Sequence, residues 1–156
     1  MATETRRDGI DLILTRYYAA PHEKLWQAWT DVDVLKTWFA PDPVKITEAV
    51  FDARPGGLFQ ITMLLPDGTE FSSPGCVIEA IPNRKLVFTD ALGPDFRPTG
   101  TGFMTSIVTF EPEGAGTRYT ARVLHKDAED CTKHEEMGFH PGWSAVAEQL
   151  AKLVEA

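Results

Sequence analysis

Only one stretch of this 156-residue chain repeats its apolar residues at helical spacing over several turns: the C-terminal run MGFHPGWSAVAEQLAKLVEA. Within it Trp143, Val146, Ala147, Leu150, Leu153 and Val154 fall on one face, and Glu148, Gln149, Lys152 and Glu155 on the other. Pro141 marks the predicted start. Proline suits the first helical turn, where its missing N–H has no partner to lose, and it drives the preceding His140 out of the α region. A single amphipathic helix cannot bury its own apolar face. The remainder of the chain must therefore build the surface on which it lies.

That remainder reads mostly as strands. Ile10 to Tyr18 is rich in β-formers and opens the pattern. Pro21 starts a short helix running to Trp29. Thr30, with Asp33 three residues later, suggests a capping box for a second helix over Asp31 to Phe39, stopped by Pro41 and Pro43. Strands are expected at VKITEAVFDAR and LFQITMLL, separated by Gly56-Gly57, and Pro66-Asp67-Gly68 forms the next turn. Pro74-Gly75 points to a bulge or bend in the following strand. KLVFTD, FMTSIVTFE and TRYTARVLH complete the set, and a short helix near Ala128 to Met137 leads into the last one. The expected fold is α+β in a single domain over 1–156. A curved antiparallel sheet of about six to seven strands wraps a long C-terminal helix, with two short helices after the first strand.

A net charge of −8 disfavours nucleic acid and anionic membranes as partners. No apolar run approaches the length of a membrane span, and MATETRRDGIDL lacks the apolar core of a signal peptide. Cys76 and Cys131 are too few and too isolated for a disulfide framework or a zinc knuckle. A reduced, cytoplasmic setting is expected.

Particular segments carry a resemblance. RYYAAPHEKLWQAWTD (16–31), LKTWFAP (35–41), FDARPGGLF (51–59), MLLPDGTEF (63–71), GCVIEAIPNRKLVFTD (75–90), VTFEPEGAGTRYTARV (108–123) and HEEMGFHPGW (134–143) resemble, in order and spacing, the START-related, birch-pollen-allergen-like (SRPBCC) superfamily. Within it the chain is most similar to the bacterial branch homologous to activators of the heat-shock protein 90 ATPase. The resemblance implies a helix-grip fold. It implies little about activity, because that superfamily spans carriers, receptors and cyclases.

Strand parity gives the candidate interior. Phe59, Ile61 and Met63 share one face; Cys76, Ile78 and Ala80 share another, opposite Glu79. Met104, Ser106, Val108 and Phe110 share a parity, as do Tyr119, Ala121, Val123 and His125. A sheet wrapped around one helix leaves room near the helix start, and methionine tolerates ligands of varied shape. The expected ligand-lining residues are therefore Trp38, Phe59, Met63, Ile78, Phe88 and Met104, together with Val108, Tyr119, His125, His134, Met137 and Trp143. His125 and His134 would supply a polar contact at the cavity mouth.

Other motifs read as structural. Cys131 and His134 at i and i+3, with Asp127 nearby, do not make a metal site, since HEEM is not a metalloprotease motif. Asp52 and Arg54 read as a local ion pair, Glu79 as the solvent side of its strand, and Gly114-Ala115-Gly116 as a hairpin turn with no helix to make it a phosphate loop. No catalytic residue, metal or cofactor is assigned. The expected role is to carry, sense or sequester a small hydrophobic or amphipathic molecule. The alternatives are an enzyme of cyclase, aromatase or hydrolase type using His125, His134 and Tyr119, and a stress-response partner of a chaperone. A homodimer is left open.

Overall fold

A computed structural model describes residues 2–156. The chain opens with β1 (Glu4–Asp8) and β2 (Asp11–Tyr18), followed by helices α1 (His22–Thr30) and α2 (Val32–Trp38). Strands β3 (Lys45–Phe51), β4 (Leu58–Leu64), β5 (Glu70–Ile81) and β6 (Lys85–Thr89) come next. A small ribbon, β7 (Leu92–Gly93) and β8 (Arg97–Pro98), flanks a single 3-10 turn. Strands β9 (Thr105–Glu113) and β10 (Gly116–Leu124) lead to α3 (Ala128–Glu136) and α4 (Phe139–Val154). Eight strands form one antiparallel sheet in the order β1-β2-β10-β9-β6-β5-β4-β3. This is the helix-grip arrangement, with α4 held in the concave face.

Cross-strand register builds that face. Leu14 pairs with Ala121, Ala121 with Val108, and Val108 with Leu86, so one apolar row crosses four strands. The row joins Trp29, Phe110, Leu150 and Val154 in the main core. α1 buries Leu25, Ala28 and Trp29, and α2 buries Leu35 and Trp38.

Several local expectations are corrected. β1 was not expected: its sequence, ETRRD, has no apolar alternation, and it is ordered by pairing with β2 along its whole length. The capping box of Thr30 and Asp33 does not form. Thr30 ends α1 with its hydroxyl on Trp26 O, and Asp31 caps α2 by accepting from Asp33 N at 3.1 Å. The β5 strand runs straight through Pro74-Gly75, and the bulge falls later, between Val77 and Glu79. The extra residue is Ile78, so the inward positions are Val77 and Ala80, and Cys76 faces the opposite, convex side where the ribbon packs on β5.

The final helix begins two residues before Pro141, which sits in its first turn. Gly138 precedes it at φ +97°, a left-handed conformation that lets α4 start at Phe139 with only two residues between it and the end of α3 at Glu136. Leu153, expected on the inner face, is 39% exposed, and Ala151 is buried in its place. By contrast, Gly142 makes no close approach to the sheet. A Cβ built there meets nothing within 4 Å.

The C-terminal half of α4 is fastened by β2. Tyr18 Oη donates to Ala147 O at 3.0 Å. Arg16, only 4% exposed, donates from Nε to Glu148 at 2.9 Å, reaches Glu155 at 3.5 Å, and lies 4.6 Å above the Tyr18 ring. Glu155 also accepts from Ala19 N at 2.8 Å. Arg16→Ala is expected to lower unfolding free energy by about 1.5–3 kcal/mol, the range for hydrogen bonds to charged groups. Glu148→Gln, at a half-exposed partner, should cost less than about 1 kcal/mol. Urea denaturation of both variants measures the difference.

Candidate functional site

The N-terminal half of α4 is seated differently. Between it, the aromatic side chains of α1 and α2, and the sheet lies a cavity of about 280 Å3. A second hollow of about 480 Å3 adjoins it, between β4–β5 and α3. The two share Phe39, Met63, Phe88, Met104, His134 and Met137 in their walls.

Aromatic packing makes the walls apolar and stiff. Trp29 meets Trp38 edge-on at 5.2 Å, and Phe59 meets Phe88 edge-on at 4.8 Å. The indole N–H of Trp29 is used by Tyr119 Oη at 3.2 Å, and that of Trp38 by Ala28 O at 3.0 Å. Neither presents a donor to the cavity. Complete burial raises the Tyr119 phenol well above its ordinary range, so it stays protonated near neutrality. At the outer rim, Phe71 and Met137 are 61% and 67% exposed, the two most exposed large apolar side chains among the described residues.

Of the six side chains common to both hollows, that of His134 alone is polar. His125 Nδ1 lies 2.9 Å from Ile10 O, and His125 Nε2 lies 2.9 Å from His134 Nδ1. Phe103, Phe139 and Trp143 surround the His134 ring edge-on. Burial, reinforced by His125, lowers the His134 pKa to about 4, while Asp90 opposes the shift.

Nine of the twelve expected residues stand in the cavity walls: Trp38, Met63, Phe88, Met104, Tyr119, His134, Met137 and Trp143 around the first hollow, and Phe59 in the second. Three do not. Ile78 is displaced by the bulge, Val108 is packed in the core, and His125 stands behind His134. Sequence reading missed Trp29, Phe39, Phe71, Phe103 and Val146 as wall residues. Trp29 and Phe39 were legible as apolar positions of short helices. Phe103 opened the expected strand FMTSIVTFE with a parity opposite to Met104, whereas it lies just before β9 begins at Thr105.

The remaining candidates do other work. His140 bridges Thr5 and Glu135, both at 2.8 Å. Cys131 is packed with Leu12, Val123 and Phe139, where burial pushes its thiol up. Asp127 caps α3 through Asp130 N at 2.9 Å. Arg54 pairs with Asp52 at 2.7 Å, and Lys85 with Glu79 at 2.9 Å. Among the described residues no three His, Cys, Asp or Glu side chains converge as a metal site. Ser106 Oγ is buried without a partner, between Phe88 and Val123 on the inner face.

Two outcomes follow from these environments. A folded-state pKa near 4 for His134, below its ordinary 6.5, means that the unfolded chain binds the extra proton first. Its contribution to stability is complete above about pH 6.5 and is lost as the pH falls toward 4. The loss should be roughly 1–2 kcal/mol after discounting the ring's contact with the open cavity, and it should vanish in His134→Phe. Denaturant titrations across that range measure it. Ser106→Ala removes an unsatisfied hydroxyl at almost no loss of volume and should raise stability by about 1 kcal/mol, read as a higher urea midpoint.

The profile of the family described as Activator of Hsp90 ATPase homolog 1-like protein matches residues 19–155. No curated protein matches the chain. Among solved structures, a protein from Nitrosomonas europaea is 38% identical with a TM-score of 0.91, covering 96% of this chain and 97% of its own. A protein from Mycobacterium smegmatis is 26% identical with a TM-score of 0.83, covering 99% and 97%. A Silicibacter pomeroyi protein named AHSA1 is 24% identical with a TM-score of 0.71, covering 93% and 97%, a likeness of fold. A profile match over most of the length, with a 38% identical structure covered almost end to end, places the chain: it belongs to the Activator of Hsp90 ATPase homolog 1-like family.

Proposed function

We propose that the protein binds a small apolar or amphipathic molecule between the N-terminal half of α4 and the sheet, and so carries, senses or sequesters it. The observation that supports this most is the unfilled, aromatic- and methionine-lined space beside a helix otherwise well packed. Close packing is the rule in protein interiors, and a void of about 280 Å3 forfeits dispersion contacts that its own lining could make. A ligand restores them. Phe71 and Met137 at the rim give an apolar molecule a path inward.

A catalytic role has less support. Tyr119 is held protonated by burial and already accepts a hydrogen bond from Trp29, and His125 does not face the cavity. A chaperone-directed role rests on the family's description alone, and the two most exposed apolar side chains are already accounted for by the cavity rim.

Native mass spectrometry of protein purified without detergent should reveal a co-purifying molecule of a few hundred daltons or less, on the order of what such a space encloses. Two variants test its location. Gly142 lines the cavity with open space where its side chain would be, so Gly142→Leu should abolish retention and leave the protein folded. Trp143, only partly buried and on the cavity wall, should lose less stability on change to alanine than the roughly 3–5 kcal/mol of a packed tryptophan, while binding falls at least tenfold. Binding unchanged in both variants would move the site elsewhere.

A further inference from the structure

The two histidines form a chain whose hydrogen-bond direction is fixed at one end. Ile10 O can only accept, so His125 Nδ1 carries the proton in their 2.9 Å contact. A neutral imidazole has one N–H, which leaves His125 Nε2 as a bare acceptor. It is met at 2.9 Å by His134 Nδ1, which must then be the donor. The proton of His134 is thereby placed on Nδ1, and its Nε2 is left with an unshared lone pair. That atom has no hydrogen-bond partner among the described residues, and it is not sealed off as Ser106 Oγ is. His134 itself forms part of both hollows.

Building on the ligand-binding reading above, we infer that the relay Ile10 O, His125, His134 presents a directed acceptor to the cavity. The ligand it selects is a neutral hydroxyl compound, a phenol or alcohol on an aromatic or alicyclic body, bound as the donor. A methyl ether has no proton to give. A carboxylate brings only acceptors against a lone pair, close to the Asp90 carboxylate in the same hollow. Lys133 on the rim is the one cation of that hollow among the described residues, and a carboxylate ligand would have to reach it. The aromatic faces of Trp38, Phe88 and Trp143 favour a ring as the apolar body. Both rings are buried, and neither is ion-paired with a carboxylate among the described residues, so a charged imidazole would find no counter-ion in contact.

The test uses naphthol, its methyl ether and naphthoate with the full-length protein at pH 7, where a phenol of ordinary pKa is neutral. Isothermal titration should give naphthol an affinity at least tenfold above the other two, since a site built to take a hydroxyl proton rejects analogues lacking it. In His134→Phe the naphthol-to-ether ratio should fall to near one with ether affinity retained. Ring nitrogen NMR of the unmutated protein gives a second measurement that does not depend on a variant folding. Both His125 and His134 should appear as Nδ1–H tautomers, and naphthol should shift His134 Nε2 alone. Equal affinity for naphthol and its ether, or an Nε2–H tautomer at His134, overturns the relay but leaves the cavity reading standing. Preference for naphthoate also overturns it, in favour of Lys133. If none of the three binds, both readings fall.

Discussion

The buried guanidinium of Arg16 and the Tyr18 hydroxyl hold the C-terminal half of α4 against β2, and the rest of the molecule is arranged around that attachment. A helix with one apolar face gains most of its stability from the surface it covers. Here the cover is complete at one end only. From Ala147 onward the inner side chains are buried, Ala147 and Leu150 bordering the cavity from its closed end, whereas Trp143 and Val146 are only partly buried beside it. Fixing one end firmly lets the other end remain underpacked without the helix leaving its cradle.

The same division separates two kinds of polar group. Arg16 is satisfied by two carboxylates, the Tyr17 carbonyl and an aromatic face, a fastening in which all three guanidinium nitrogens bond to the protein. The histidine pair is satisfied from one side only. Its hydrogen bonds run from a backbone carbonyl outward and stop at the cavity. A buried polar network usually closes on itself, because an open end costs as much as the closed bonds contribute. A network that stops where there is room for a small molecule is the arrangement expected of a site rather than of a core.

How far the sequence reached depended on how local the cause was. The long helix, the three short helices, strands β2 to β6, and β9 and β10 were legible because apolar periodicity and turn residues are written in adjacent positions, whereas the β7–β8 ribbon lay in what reads as a Gly/Pro-rich loop. The first strand was not, since Glu4–Asp8 is polar throughout and owes its order to β2. The parity of β5 was misread up to the bulge, with Cys76 and Ile78 assigned inward where Val77 points: one extra residue, Ile78, switches the facing so that only Ala80 beyond it was placed correctly, and no proline or glycine marks it. For the site, His125 and His134 were legible as residues but not as a directed pair. That relation depends on the carbonyl of Ile10, more than a hundred residues away in sequence.

The two thiols are stored in different compartments. Cys76 is fully buried on the convex side, under the ribbon, and Cys131 is fully buried on the concave side, on the inner face of α3 against Leu12, Val123 and Phe139. With the sheet between them they cannot join while the fold is intact. Each can meet an alkylating reagent only when its own cover lifts. Labelling at Cys131 therefore times the breathing of the α3–α4 cap, and labelling at Cys76 times that of the ribbon. The molecule carries two independent clocks for local opening, one of them next to the cavity.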